Sequence, residues 1–139
     1  MRSGFTIPEL LIVLAVTAIL TGLALPAVTG LRDRLTVRLA AVDAARALAD
    51  ARTIALTAAR RTAVRIDALT NTLTVYAGTD TVRIVRLSEY GVRLRTTRDS
   101  VAFGPTGIGW GAATATITLT RGSASTALAI SRIGRIRRI

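Results

Sequence analysis

Residues 3–10 read Ser-Gly-Phe-Thr-Ile-Pro-Glu-Leu, and they open directly onto an apolar run that reaches Leu31. No charged side chain lies between Leu10 and Leu31. As a helix, such a run can cross the hydrocarbon core of a bilayer, which takes about 20 residues. Glu9 stands at its mouth. A carboxylate there costs up to a few kcal/mol, and ionisable residues so placed usually mark function. A local reading stands beside that one. Thr6 and Glu9 have the spacing of a capping box, and Pro8 falls in the first turn, where its missing N–H costs nothing. Glutamine would cap as well, so the spacing leaves both roles open for Glu9.

A cleaved secretory signal has a shorter apolar stretch, about 7–15 residues, ending in a small-x-small site. Leu-Ala-Leu-Pro-Ala-Val, residues 23–28, is a poor version of that site. A membrane anchor fits the run better. The flanking charges oppose a simple topology. Arg2 alone precedes the run, whereas Arg32, Arg34 and Arg38 follow it with Asp33. The positive-inside rule by itself puts the C-terminal part in the cytoplasm.

The chain has 139 residues, so roughly a hundred remain outside the anchor, enough for one small core. Its formal charge is +11, all nineteen basic residues are Arg, and only eight residues are acidic. An all-Arg surface favours anionic partners, because guanidinium is permanently charged and forks onto carboxylates and phosphates. A GC-rich genome produces the same absence of Lys without selection for binding. There is no Cys and no His. Disulfides, thiolate metal sites and histidine bases are therefore excluded. The carboxylates are scattered, so neither catalysis nor a cofactor is expected.

After Gly30 the pattern becomes amphipathic. Val37, Ala41, Ala44, Leu48, Ala51 and Ala55 recur at three- and four-residue spacing and form one apolar stripe. Arg32, Asp43, Arg46, Asp50 and Arg61 are expected on the other side, with Asp43–Arg46 and Arg46–Asp50 pairs along it. Gly22 and Pro26 are expected to bend or melt the junction between the two helix halves. The small side chains of the stripe allow close approach, most simply by a sheet of the same chain.

From Thr62 the helical period stops. Six runs, at residues 62–67, 72–77, 82–87, 92–96, 114–120 and 126–131, are rich in Val, Ile, Thr and Tyr and are separated by turn residues. They predict antiparallel strands, since no crossover helix separates them. Alternation points Val82, Ile84, Val92 and Leu94 inward and Arg83, Arg93 and Arg95 to water. Residues 101–111, with four glycines and a proline, predict a loop or bulged segment anchored by Phe103 and Trp110. No following helix or lysine makes this a phosphate-binding loop.

The C-terminal residues 130–139 contain Arg132, Arg135, Arg137 and Arg138. In an extended segment Arg135 and Arg137 point the same way, roughly 6–7 Å apart. Gly134 permits a turn or a close ligand. The tail reads as a charged edge strand that discourages aggregation, as a contact for anionic lipid or an acidic neighbour, or as a DNA site. No aromatic residue stands near it in sequence, so DNA binding there is electrostatic and indifferent to sequence.

The order Gly4, Phe5, Thr6, Glu9 and then an apolar run resembles the class III signal of type IV prepilins and type II secretion pseudopilins. Phe103-x-Pro105-x-Gly107, two further strands and a terminal Gly134-Arg135-Ile136-Arg137 resemble the GspH/FimT type of minor pseudopilin and minor pilin. The resemblance covers nearly the whole chain. It implies an α+β pilin-like fold, with a long N-terminal helix packed on a small antiparallel β domain. The implied parts are a leader (1–4), a transmembrane helix half (5–31), an amphipathic helix half (32–61) and a β domain with a basic tail (62–139).

The resemblance further implies cleavage between Gly4 and Phe5 by a prepilin peptidase, which also methylates the Phe5 amine. Glu9 then pairs with that amine on a neighbouring subunit. The topology reverses the charge rule: a single pass through the bacterial inner membrane with the C-terminal domain in the periplasm. The implied partners are other pilins or pseudopilins in a filament, with this subunit at or near its tip. The implied role is in a type II secretion pseudopilus or a type IV pilus. The alternative is a DNA-binding minor pilin of natural transformation, acting through Gly134, Arg135 and Arg137, with Arg138 and Arg132 as added charge.

Overall fold

The structure, a computed structural model, describes residues 4–111 and 113–139. Residues 1–3 of the expected leader, Arg2 among them, lie outside the described residues. The chain divides into two compact units, the first ending at Arg32 and the second running from Asp33 to Ile139. One helix, α1 (Ile7–Thr57), contributes to both.

In the first unit the described apolar side chains of α1 outside residues 24–25 are exposed all round. Its most apolar eighteen-residue window has a mean hydropathy of 2.5 and none of it is buried. So large an exposed apolar surface marks a membrane or an assembly face. The helix does not melt near Gly22 and Pro26, for it is continuous through both. Proline removes one donor from the ladder. The Pro26 carbonyl, by contrast, accepts a 3.0 Å hydrogen bond from Thr29 Oγ1.

In the second unit α1 lies on two antiparallel sheets. The first sheet has the order β3-β2-β1-β5-β6, built from Thr62–Asp67 (β1), Thr72–Ala77 (β2), Asp80–Arg86 (β3), Ser100–Phe103 (β5) and Gly109–Trp110 (β6). The second has the order β4-β7-β8-β9, built from Arg93–Thr96 (β4), Ala115–Arg121 (β7), Ala124–Ile130 (β8) and Ile136–Arg138 (β9). A 3₁₀ turn, Leu87–Tyr90, leads from the first sheet to the second.

The whole expected stripe, from Val37 to Ala55, is buried, and Ala40 and Ala47 widen it. It packs in one core with Val64, Leu73 and Phe103 of the first sheet and Leu94, Ile117 and Leu128 of the second. Alanine dominates the helix side, so backbone and sheets approach closely.

Several expectations need correction. The helix ends at Thr57, short of Arg61, and Ala59 takes a left-handed φ of 48° on the way into β1. Val82 and Ile84 are half exposed, not inward, while Arg83 is half-buried. The core side of β3 is the other phase of the alternation: Val85 and Arg83 pair with the buried Leu73 and Val75, Ile84 pairs with Thr74 on the outer face, and Val82 falls at the register shift. The glycine-rich segment is not all loop: Ser100–Phe103 pairs with β1, and Gly109–Trp110 pairs back on β5. Phe103 is fully buried there, but Trp110 is exposed and anchors nothing in the core. Its ring instead faces the Arg61 guanidinium, 6.0 Å from the ring centroid.

Candidate assembly and anion-binding sites

Helix α1 starts at Ile7, which makes Thr6 its N-cap. Glu9 Oε2 accepts hydrogen bonds from the Thr6 N–H and from Thr6 Oγ1, both at 3.2 Å. This is the returning half of a capping box, and it occupies the carboxylate within its own chain. Gly4 has open space where a β-carbon would be, and Phe5 is 76% exposed. The peptide link between them is therefore open to another protein, and Glu9, four residues beyond Phe5, is exposed as well.

Within the second unit, polar contacts rivet α1 to the sheets at intervals. Asp33 Oδ1 accepts from Arg121 Nε at 2.9 Å, and Arg121 Nη1 also donates to the Tyr90 carbonyl. Tyr90 donates its hydroxyl to Asp43, and Arg83 donates to Asp50. Arg52 Nε donates to the Gly107 carbonyl at 3.0 Å. Asp43 and Asp50 thus border the apolar stripe instead of lying on the far side. Asp43 does meet Arg46, at 3.8 Å, but Asp50 is taken by Arg83. The Asp43 carboxylate, as hydrogen-bond acceptor, pushes the Tyr90 phenol above its ordinary value, with burial adding to the effect. Sequence spacing gave no sign of Arg52, Arg121 or Tyr90 in these roles, because each partner is distant in the chain.

The tail does not form one cluster. Residues 131–135 make a turn: Gly134 N–H donates to the Ser131 carbonyl at 2.9 Å, and Arg135 N–H donates to Ser131 Oγ at 3.1 Å. Strand β9 begins only at Ile136, so the turn, not a strand pleat, sets the Arg135–Arg137 separation. Ile136 packs on the core, and alternation sends Arg138 to its side and Arg137 to the other. Gly134 has a φ of 75°, and a β-carbon there would lie 2.5 Å from the Gly107 carbonyl oxygen and 3.0 Å from Arg52 Nε. Gly107 (φ 72°) is equally confined, since a β-carbon would meet Leu56 Cδ2 at 2.9 Å. The two glycine motifs noted in the sequence thus meet face to face over Arg52. Arg132, Arg135 and Arg137 are exposed.

The model of the prokaryotic N-terminal methylation motif matches residues 1–25. Beyond the motif, the structure resembles the type IV minor pilin FimU of Pseudomonas aeruginosa, at TM-score 0.65 and 17% identity. That match covers 75% of this chain and 88% of FimU. The fold is pilin-like. The minor pseudopilin EpsH of the Vibrio cholerae type 2 secretion system shares it, at TM-score 0.59 and 16% identity, over 74% of this chain and 95% of EpsH. No curated protein sequence is significantly similar to the chain. The pilin-like fold accounts for one helix both carrying the methylation motif and seating the sheets.

Proposed function

We propose that this protein is a minor, non-enzymatic subunit of a type IV pilus or type II secretion pseudopilus. In this reading a prepilin peptidase cuts between Gly4 and Phe5 and methylates Phe5. Residues 5–31 hold the precursor in the inner membrane, with the second unit in the periplasm. The subunit then joins other pilins at or near the filament tip, and Glu9 exchanges its bonds to Thr6 for the charged amine of a neighbour's Phe5. The observation that carries this reading is the methylation motif running into a helix with none of its most apolar window buried. Mass spectrometry of the N-terminus of the protein expressed beside a prepilin peptidase tests it. An N-methylated Phe5 is expected, and an intact Met1 overturns it.

A second reading is DNA binding in natural transformation. It is favoured by the exposed Arg132, Arg135 and Arg137, none of which has an ion-pair partner among the described residues. Guanidinium groups so disposed bind phosphates without regard to sequence. Full-chain protein in micelles is expected to bind duplex DNA at low salt, and no binding there would remove this reading.

A further inference from the structure

Arg138 is close to the tail arginines in sequence, but the fold takes it elsewhere. Strand β9 runs antiparallel to β8, with Arg138 opposite Leu128, and the Ile139 N–H donates to the Ala127 carbonyl at 2.8 Å. The chain end therefore runs back toward the turn between β7 and β8. That turn lies against the start of the second unit's helix: Asp33 holds Arg121, and Gly122 has no room for a β-carbon beside the Asp33 carboxylate. Here Arg138 joins Arg34 and Arg38, one helical turn apart, around a cavity of about 490 Å³. Ser123, Ser125 and Thr126 add hydroxyl donors to its wall. None of its lining side chains is acidic, and none of the three arginines has an ion-pair partner among the described residues. Three guanidiniums and no acidic side chain make the cavity positive.

We infer that this cavity holds the phosphate of an anionic phospholipid headgroup. The inference rests on the membrane-anchored reading of the apolar helix. At 1.5 Å per residue, Leu10 to Leu31 gives about 33 Å of helix, against a hydrocarbon core of ~30 Å. Arg34 then follows the core edge by about 5 Å and Arg38 by about 10 Å. The headgroup layer beyond each edge is roughly 5–8 Å thick, so this pair straddles it. Arg138 arrives from the other end of the sequence to complete a three-sided clamp. Guanidinium suits a phosphodiester, which it grips with paired N–H donors while the serine hydroxyls take remaining oxygens.

The test uses the full chain in neutral detergent micelles, titrated with phosphatidylglycerol or phosphatidylcholine and read by native mass spectrometry. Phosphatidylglycerol is expected to bind preferentially. Each of Arg34→Gln, Arg38→Gln and Arg138→Gln should weaken it by about fivefold, the usual worth of one basic residue at an anionic surface. The matched variants Arg132→Gln and Arg135→Gln remove equal charge and should leave it unchanged. Equal losses in both sets would reduce the effect to net charge and overturn the inference. Displacement of the lipid by millimolar inorganic phosphate would make free phosphate the ligand and also overturn it. Insertion into vesicles without headgroup preference overturns the clamp alone, while failure to insert removes the anchored reading and the clamp with it.

Discussion

Gly134 sits over Gly107 so closely that a β-carbon at position 134 would lie 2.5 Å from the Gly107 carbonyl oxygen, which Arg52 already holds by a 3.0 Å hydrogen bond. The glycine of the Gly-Arg-x-Arg sequence thus has a packing role independent of any ligand. Gly134→Ala meets both a left-handed φ and a backbone oxygen. It is expected to lower stability by about 1–3 kcal/mol, read as a denaturant midpoint of the full chain in micelles. A change within the error of the measurement would mean that the turn rearranges freely.

Arg135 and Arg137 are exposed, and replacing them leaves that packing alone. Arg135→Ala with Arg137→Ala is expected to flatten the slope of log K against log salt for DNA by about 1–2 units. An unchanged slope would move the binding site away from the tail. Comparison with Gly134→Ala separates lost charge from lost structure.

For Glu9 the capping bonds and the subunit pairing make different predictions. Glu9→Gln keeps a side-chain acceptor for Thr6, and Glu9→Ala does not. Both should insert in the membrane, since each removes a charge from its edge. Both should assemble poorly, because a buried amine left without its carboxylate costs about 3–5 kcal/mol. Filament incorporation, measured after shearing and immunoblotting, should fall in both. Normal incorporation of Glu9→Ala would refute the pairing.

The hydrogen bond from Tyr90 to Asp43 ties α1 to the 3₁₀ turn. Because the folded state raises the phenol above its unfolded value of 10.0, it retains the proton when the unfolded chain has begun to lose it. The stabilisation is therefore complete below about pH 10 and is lost as pH rises through the folded value. Tyr90→Phe should cost about 1–2 kcal/mol at neutral pH and flatten the alkaline decline. Denaturant midpoints from pH 8 to 11 check both. Asp67 behaves oppositely. The N–H groups of Thr70 and Leu69 hold its carboxyl below the usual 3.8, so its contribution is present above that pH and fades in acid.

Much of this arrangement can be read locally. The alanine stripe shows in the helical period, and β1 and β2 occupy the same residues, 62–67 and 72–77, as two of the alternating runs. What escaped reading depends on partners far along the chain. Val82 and Ile84 alternate as an inward face does, but pairing with β2 puts Arg83 and Val85 opposite the buried Val75 and Leu73 and leaves Ile84 on the outer face. Residues 101–103 look like part of a glycine loop until β1 is there to pair with them. Arg132 and Arg138 look like one cluster because they are close in sequence. One strand and one turn send them to different places.

The alanine seat of α1 has a mechanical side. Methyl groups offer little relief against a sheet, so they resist sliding along the helix axis weakly. Asp33, Asp43, Asp50 and Arg52 are spaced along the same helix and tied to four different places: strand β7, the 3₁₀ turn, strand β3 and the segment between β5 and β6. A pull on the helix along its length is shared among these four ties, and the smooth rail between them carries little of the load.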